Sequence, residues 1–229
     1  CCTLDGVDGV LFAVWAPHAQ RVSVVGNFNG WNGKQHMMRR VEYSGIFELF
    51  IPNLKIGEIY KYEILTNDGN TFMKPDPYGN SFELRPANAS RIVDLSYEWT
   101  DESYYEACKL VKSEMPMNIY EVHLGSFRHP KDGREFFNYR EIAKDLAEYV
   151  ADMGYTHVEI MPIMEHELDS SFGYQTTGFF APTSRYGEPA DFKYFVDYLH
   201  GKGIGVICDW VPSQFPMNSG LACFDGQPL

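Results

Sequence analysis

Long apolar runs are missing from this chain of 229 residues. None approaches the roughly 20 consecutive apolar residues of a membrane-spanning helix, and no signal-peptide pattern opens the chain. The expected home is a reducing cytoplasm. Cysteine is scarce and badly arranged for a structural role. The five present, Cys1, Cys2, Cys108, Cys208 and Cys223, are odd in number and form no C-x-x-C pair. A disulfide framework and a zinc site are both disfavoured by that pattern. Basic runs are absent as well, the longest being the pair Arg39-Arg40 in a chain of net charge −12. A phosphate-backbone partner is therefore not expected, so no nucleic acid, whereas charge does not exclude a neutral polymer such as a polysaccharide. No P-loop, dinucleotide fingerprint, zinc-hydrolase motif or G-x-S-x-G elbow occurs, and neither metal nor organic cofactor is expected.

What the chain does have is apolar and aromatic mass. Hydrophobic residues make up 45% and charged residues 22%, enough for a sizeable core in one large or two ordinary domains. Fifteen Tyr, sixteen Phe and four Trp bring aromatics to 15%, which suits a large core or contacts to the CH faces of sugars. The chain begins with Cys and stops at Pro228-Leu229 with no helix or cap in sight, so it reads as a piece of something longer.

From Val10 to about Leu95 the pattern is β throughout. Phe12–Trp15, Val22–Val25, Ile46–Ile51, Ile59–Ile64 and Arg91–Leu95 are short aromatic or β-branched runs. Turn signals such as Asn29-Gly30, Asn67-Asp68-Gly69 and Pro75-Asp76-Pro77 separate them. Alternation of Tyr60, Tyr62 and Ile64 with Lys61 and Glu63 gives one buried and one wet face. The spacing predicts an immunoglobulin-like β-sandwich, with Trp15 in its core. Tyr97 to Pro116 is charged and irregular, with at most a short helical turn. The domains are expected at 1–107 and 118–229, joined by a linker at 108–117.

After Asn118 the periodicity changes. Ile119–Leu124 reads as a strand, and Asn138 with Glu141 forms a capping box for a helix carrying Ile142, Leu146, Tyr149, Val150 and Met153 at helical spacing. Val158–Ile163 is a second strand. Pro189 opens a second helix with Phe192, Phe195, Val196 and Leu199 on its apolar face. Ile204–Phe215 follows, and Gly205–Cys208 within it reads as a strand apolar on both faces. This β-α-β-α-β order predicts a parallel sheet. Asp209, just after the last strand, is placed either as a ligand-facing carboxylate at a strand end or as a local cap. Residues 164–188 make a βα loop several times longer than usual. Tyr174, Gln175, Thr176, Thr177 and Ser184 in it offer neutral hydrogen-bonding groups suited to an uncharged, hydroxyl-rich ligand, or pack as a surface loop. Glu121 with His123, and Glu165 with His166, have acid/base chemistry available; as barrel residues they read as buried and mutually satisfied.

Several segments resemble known families. Trp15-Ala16-Pro17, the run Val22–Trp31 and Tyr60-Lys61-Tyr62 resemble the glycogen-binding sandwich modules that precede the barrel in branching and debranching enzymes. That resemblance implies glucan contacts for Trp31 and Lys61, with Phe72 or Met73 at the place of a second aromatic; such modules also serve as docking walls for the barrel. Further on, Tyr120–Phe127, Met161–His166, Phe172–Gln175, Ala181–Gly187 and Asp209–Pro212 resemble successive segments of the 1,4-α-glucan (glycogen) branching enzymes of the α-amylase superfamily.

The resemblance implies a sandwich followed by an incomplete (β/α)8 TIM barrel with its first three strands. It also implies retaining transglycosylation, in which a glucan 6-hydroxyl replaces water as acceptor. The family's nucleophile, acid/base and third aspartate would lie beyond Leu229, so no catalytic residue is assigned within the chain, which alone is expected to be inactive. Tyr174 matches a tyrosine that stacks on the sugar beside the scissile bond, and Asp209 a supporting aspartate at the third strand end. Gln214 stands where the family has a sugar-bonding histidine. The implied partner is an α-glucan, with no membrane and a monomeric parent. The alternatives are a non-catalytic glucan-binding derivative and a debranching relative.

Overall fold

The computed structural model describes residues 1–110, 115–216 and 221–228. Residues 111–114, inside the linker expected at 108–117, lie outside the described residues. The chain divides into two units, one comprising Cys1–Asp94, Thr176–Ala181 and Gln214–Leu229, the other Leu95–Gln175 and Pro182–Ser213.

The first unit is built on β1 (Cys2–Leu4), β2 (Val7–Trp15), β3 (Ala19–Gly26), β4 (Arg39–Arg40), β5 (Ile46–Pro52), β6 (Ile59–Thr66), β7 (Thr71–Lys74) and β8 (Ser90–Arg91). Two antiparallel sheets form, in the orders β1-β2-β5-β4 and β3-β6-β7, with β8 also paired to β6. The period-two pattern decides their inner faces. Phe12 and Val14 of β2, Phe47 and Ile51 of β5, Val22 and Val24 of β3, and Tyr60, Tyr62 and Ile64 of β6 share one buried cluster. That alternation also corrects the expectation for Trp15. With Phe12 and Val14 pointing inward, Trp15 points out and is 56% exposed.

A buried carboxylate sits in this unit at a place that reads as a turn in sequence. Asp76 accepts hydrogen bonds from the Tyr60 hydroxyl at 2.7 Å, the Tyr62 hydroxyl at 3.2 Å and the Tyr78 amide at 2.8 Å. Its own amide donates to Ser90 Oγ at 2.8 Å. Burial raises the Asp76 carboxyl above its ordinary range, and burial with the adjacent carboxylate drives both tyrosines well above theirs.

The second unit holds α1 (Glu102–Leu110), β9 (Ile119–Val122), α2 (Leu124–Phe127), α3 (Tyr139–Asp152), β10 (His157–Ile160), β11 (Met164–His166), α4 (Pro189–Gly201) and β13 (Gly205–Cys208); β12 (Thr176–Pro182) lies between β11 and α4 in the chain. Strands β9, β10 and β13 form a parallel sheet in the order β13-β10-β9. Asn138 caps α3 as its sequence dictates: its side chain accepts from the Glu141 amide, and Glu141 accepts from the Asn138 amide, both at 2.9 Å. Helices α3 and α4 bury Ile142, Leu146, Val150, Phe195 and Leu199 with Val122, Val158 and Ile160 of the sheet.

Three expectations need correction here. Strand β13 lies at the edge of its sheet, with Val206 and Ile207 half-buried and Cys208 exposed, so it is not apolar-buried on both faces. Glu121 is exposed, since its side of β9 alternates away from the helix-covered core. The stretch after Tyr97 carries a full nine-residue helix, α1, in place of a short turn. It is tied to α4 by Asp197, which accepts from the Tyr97 hydroxyl, the Thr100 amide and the Thr100 hydroxyl at 3.1, 2.9 and 2.8 Å. His200 Nδ1 also lies 2.7 Å from Asp101 Oδ2.

Candidate functional site

Register places the ends of the three parallel strands level. Ile160 is opposite Val122 on one side and Cys208 on the other. The ladder runs one step further, because the Met161 amide donates to the Val122 carbonyl and the Asp209 amide to the Ile160 carbonyl, each at 3.0 Å. Asp209 is thereby held by its backbone at the C-terminal end of the sheet, where parallel α/β architectures bind ligands.

Tyr174 reaches the same place from the long loop. A 3-10 turn at Asp169–Ser171 leads into Phe172 at φ +53° and Gly173 at φ +92°. An ideal Cβ on Gly173 would stand 2.0 Å from the Pro162 carbonyl oxygen, so only glycine fits between loop and strand. The Tyr174 amide then donates to the Ser171 carbonyl at 3.0 Å, and its hydroxyl to Asp209 Oδ2 at 2.8 Å. That bond is the first cause of a Tyr174 pKa pushed from the ordinary 10.0 to about 12, with burial and the charges of Asp209, Glu121 and Glu159 adding to it.

The base of the loop is fixed by Arg185, whose side chain is only 2% exposed. It donates to Glu165 Oε1 at 3.1 Å, to Asp169 Oδ1 at 2.8 Å and to the carbonyls of His166 and Glu167 at 2.5 and 2.9 Å. Glu165 accepts further bonds from the Thr183 hydroxyl at 3.0 Å and the Ser184 amide at 2.7 Å. A carboxylate so engaged holds the loop together and has little capacity left for proton transfer. His166 is buried with Nδ1 2.9 Å from the Met164 carbonyl; burial first, and Arg185 second among the lowering causes, bring its pKa from 6.5 to about 4. His123 Nδ1 lies 2.7 Å from Ser126 Oγ, and its ring meets Phe172 edge-on at 4.9 Å. The role of Arg185 was signalled in sequence as the one Lys or Arg between Met164 and Glu188, a stretch that carries four acidic residues, Glu165, Glu167, Asp169 and Glu188.

The structure thus brings Tyr174 and Asp209 together. Gln214 is exposed and groups with the first unit. Trp31 and Lys61 sit at one end of the β3–β6 pairing. The Trp31 amide donates to the Gly26 carbonyl at 2.9 Å, and Lys61 pairs with Val25, the residue before Gly26. Trp31 is half-buried at φ +60°, its indole Nε1 donating to Asn27 Oδ1 at 2.9 Å; Lys61 Nζ donates to Asn88 Oδ1 at 2.6 Å. Phe72 and Met73 are both exposed on β7. Among the described residues no group of three or more His, Cys, Asp or Glu is placed to hold a metal ion, and no helix is long and apolar enough to cross a membrane.

A tyrosine ring and a carboxylate at the C-terminal end of a parallel sheet offer a stacking face and a hydrogen-bond acceptor to a hydroxyl-bearing ligand. Residues 2–79 match the family of carbohydrate-binding module 48 (isoamylase N-terminal domain), and residues 128–217 match the alpha amylase catalytic domain. The chain is 53% identical over 229 residues to a 1,4-alpha-glucan branching enzyme GlgB of Chlamydia trachomatis serovar A, covering 100% of this chain and 31% of that protein. It is 54% identical over 230 residues to the protein of the same name from Cellvibrio japonicus, covering 99% and 31%. A crystal structure assigned as an alpha amylase from Salmonella typhimurium superposes with a TM-score of 0.73 at 27% identity, over 96% of this chain and 35% of that one. The chain therefore spans about a third of the length of the curated relatives it matches.

Proposed function

From a chain that is, along its whole length, a stretch of the 1,4-alpha-glucan branching enzyme family, we propose that it serves a protein which transfers α-1,4-glucan segments to glucan 6-hydroxyls, making the α-1,6 branches of glycogen. The observation that carries this reading is identity above one half over essentially the whole chain. In it, residues 1–107 form an immunoglobulin-like carbohydrate-binding sandwich and residues 118–229 the first three strands of a (β/α)8 barrel. The parent is a cytoplasmic monomer.

Within that reading the chain binds glucan and does not by itself cleave it. Tyr174 presents its ring to a glucosyl unit at the strand ends, oriented by the bond from its hydroxyl to Asp209. Asp209 Oδ1 then accepts from a sugar hydroxyl. Trp31 and Lys61 give the sandwich a separate glucan contact. No residue of the chain is assigned as nucleophile or acid/base, and Glu165 is excluded from such work by its bonds to Arg185, Thr183 and Ser184. Gln214, in place of the family's histidine, favours a second reading, a glucan-binding protein without branching activity.

Two assays test the proposal. Native electrophoresis of the 229-residue chain through gels containing glycogen should show retardation that weakens in Tyr174→Ala and in Trp31→Ala; migration unaffected by glycogen refutes glucan binding. Incubation with amylose should leave the iodine colour unchanged, and a branched product would mean that the chain carries its own catalytic carboxylates.

A further inference from the structure

Tyr78 and Phe180 stack with ring centroids 5.1 Å apart and planes 20° from parallel. Both belong to the first unit, Phe180 through the segment Thr176–Ala181. Stacking normally accompanies burial, yet Tyr78 is 63% exposed and Phe180 51% exposed. The two rings face one another, while half or more of each residue's surface stays in water.

The rings are rigidly mounted. The Tyr78 amide donates at 2.8 Å to Asp76 Oδ1, and Asp76 is itself locked in the core by Tyr60, Tyr62 and Ser90. From the other side, Asn80 Nδ2 donates at 3.1 Å to the Phe180 carbonyl, joining segments 100 positions apart. Asn80 is half-buried, and its Oδ1 makes no hydrogen bond among the described residues. A fixed pair of exposed rings with an amide oxygen alongside is a surface that orders no side chain when it binds, which removes one cost of association. A pyranose suits it chemically, with an apolar CH face for a ring and equatorial hydroxyls for the amide. The net charge of −12 selects a neutral sugar over an anionic one.

We infer that the Tyr78–Phe180 pair is a glucan-stacking platform, a contact for a neutral α-glucan chain that shares no residue with Trp31 and Lys61 or with Tyr174 and Asp209. It rests on the proposed glucan binding of this chain and adds a site to it.

The test uses the whole 229-residue chain in glycogen gels, with maltoheptaose as the soluble ligand. The double variant Tyr78→Leu/Phe180→Leu keeps apolar volume and removes both rings; its apparent Kd for glycogen should rise about tenfold. Tyr78→Phe, which keeps the ring, should bind like the wild type. Phe180→Trp supplies a second readout that does not depend on the leucine variant folding. Its fluorescence should change on adding maltoheptaose, over the concentration range that relieves gel retardation, by more than that of the unsubstituted chain. Wild-type affinity in a folded double variant, or a Phe180→Trp signal blind to maltoheptaose while the chain is still retarded, overturns the platform and leaves glucan binding standing. A wild-type chain that glycogen does not retard overturns both.

Discussion

The Tyr174 hydroxyl donates to Asp209 Oδ2 across 2.8 Å, tying a loop residue to a strand end 35 positions later in the chain. The loop brings the ring and the sheet brings the carboxylate. A phenol donating to a carboxylate resists ionisation, since losing its proton would set two negative charges in contact.

The titration of Tyr174 follows from that bond. Its pKa stands at about 12 against an ordinary 10.0. Because the folded value is the higher, the stability contributed by the bond is complete below pH 10.0 and is lost as pH rises through about 12. The difference in tyrosinate absorbance between wild type and Tyr174→Phe should therefore develop near pH 12. In Asp209→Asn, which keeps an acceptor oxygen and loses the charge, the Tyr174 contribution should move down toward the ordinary value. A difference curve centred near the ordinary value in the wild-type chain would show that the bond does not form in solution.

Gly173 sets the approach of Tyr174. Its φ of +92° and the 2.0 Å that would separate an added Cβ from the Pro162 oxygen leave no room for alanine without moving backbone. Gly173→Ala should lower the unfolding free energy by about 2 kcal/mol or more in urea denaturation. The same variant should return the Tyr174 titration toward its ordinary range. A variant as stable as wild type, with Tyr174 still ionising near pH 12, would mean that the loop reaches Asp209 by another path.

Local chemistry made much of this legible in the sequence. The Asn138/Glu141 capping box, Pro189 at the start of α4 and the alternation along Tyr60–Ile64 each act within a few residues, and each appears where its pattern places it. The misreadings involve partners distant in sequence. Pro75-Asp76-Pro77 has the composition of a turn, and nothing adjacent announces that Tyr60, Tyr62 and Ser90 enclose the carboxylate. Asp197 sits beside the apolar face of α4 and is buried only because Tyr97 and Thr100 fold onto it. At the site, Tyr174 and Asp209 could be picked out as residue types, but their hydrogen bond depends on the course of a long loop. Trp15 was open to a better reading, since Phe12 and Val14 already fix the inward face of β2.

Asp76 supplies a test of the buried carboxylate. Asp76→Ala leaves the hydroxyls of Tyr60 and Tyr62 without their acceptor, at about 1–3 kcal/mol for each buried group left unsatisfied. A loss of about 3 kcal/mol is expected in urea denaturation. Asp76→Asn keeps an acceptor and should lose less. Burial raises the carboxyl in the folded chain, so the native state holds this proton more tightly than the unfolded state. The wild-type advantage over Asp76→Asn should then be largest below the ordinary carboxylate range and shrink as pH rises through the raised value. A gap that widens with pH would mean that the hydrogen bonds outweigh burial and that the carboxyl is held below its ordinary range.

His166 should dominate the acid side of the stability curve in the second unit. Its ring is buried, and its folded pKa of about 4 lies below the ordinary 6.5, chiefly through burial, with Arg185 adding to the lowering and the hydrogen bond to the Met164 carbonyl, then Asp169, opposing it. Here the unfolded state takes up the proton first. The stability contributed by the neutral ring is fully present above pH 6.5 and is lost as pH falls toward about 4, by an amount on the order of 3 kcal/mol. The urea midpoint of the wild-type chain should fall across that interval, and part of that slope should vanish in His166→Gln, which cannot take up the proton. Proton NMR of the imidazoles gives the direct check, because the His166 signals should stay at their neutral positions from pH 8 down to 5. An His166 that titrates near 6.5 would place its ring in water and break the arrangement that Arg185 and Met164 build around it.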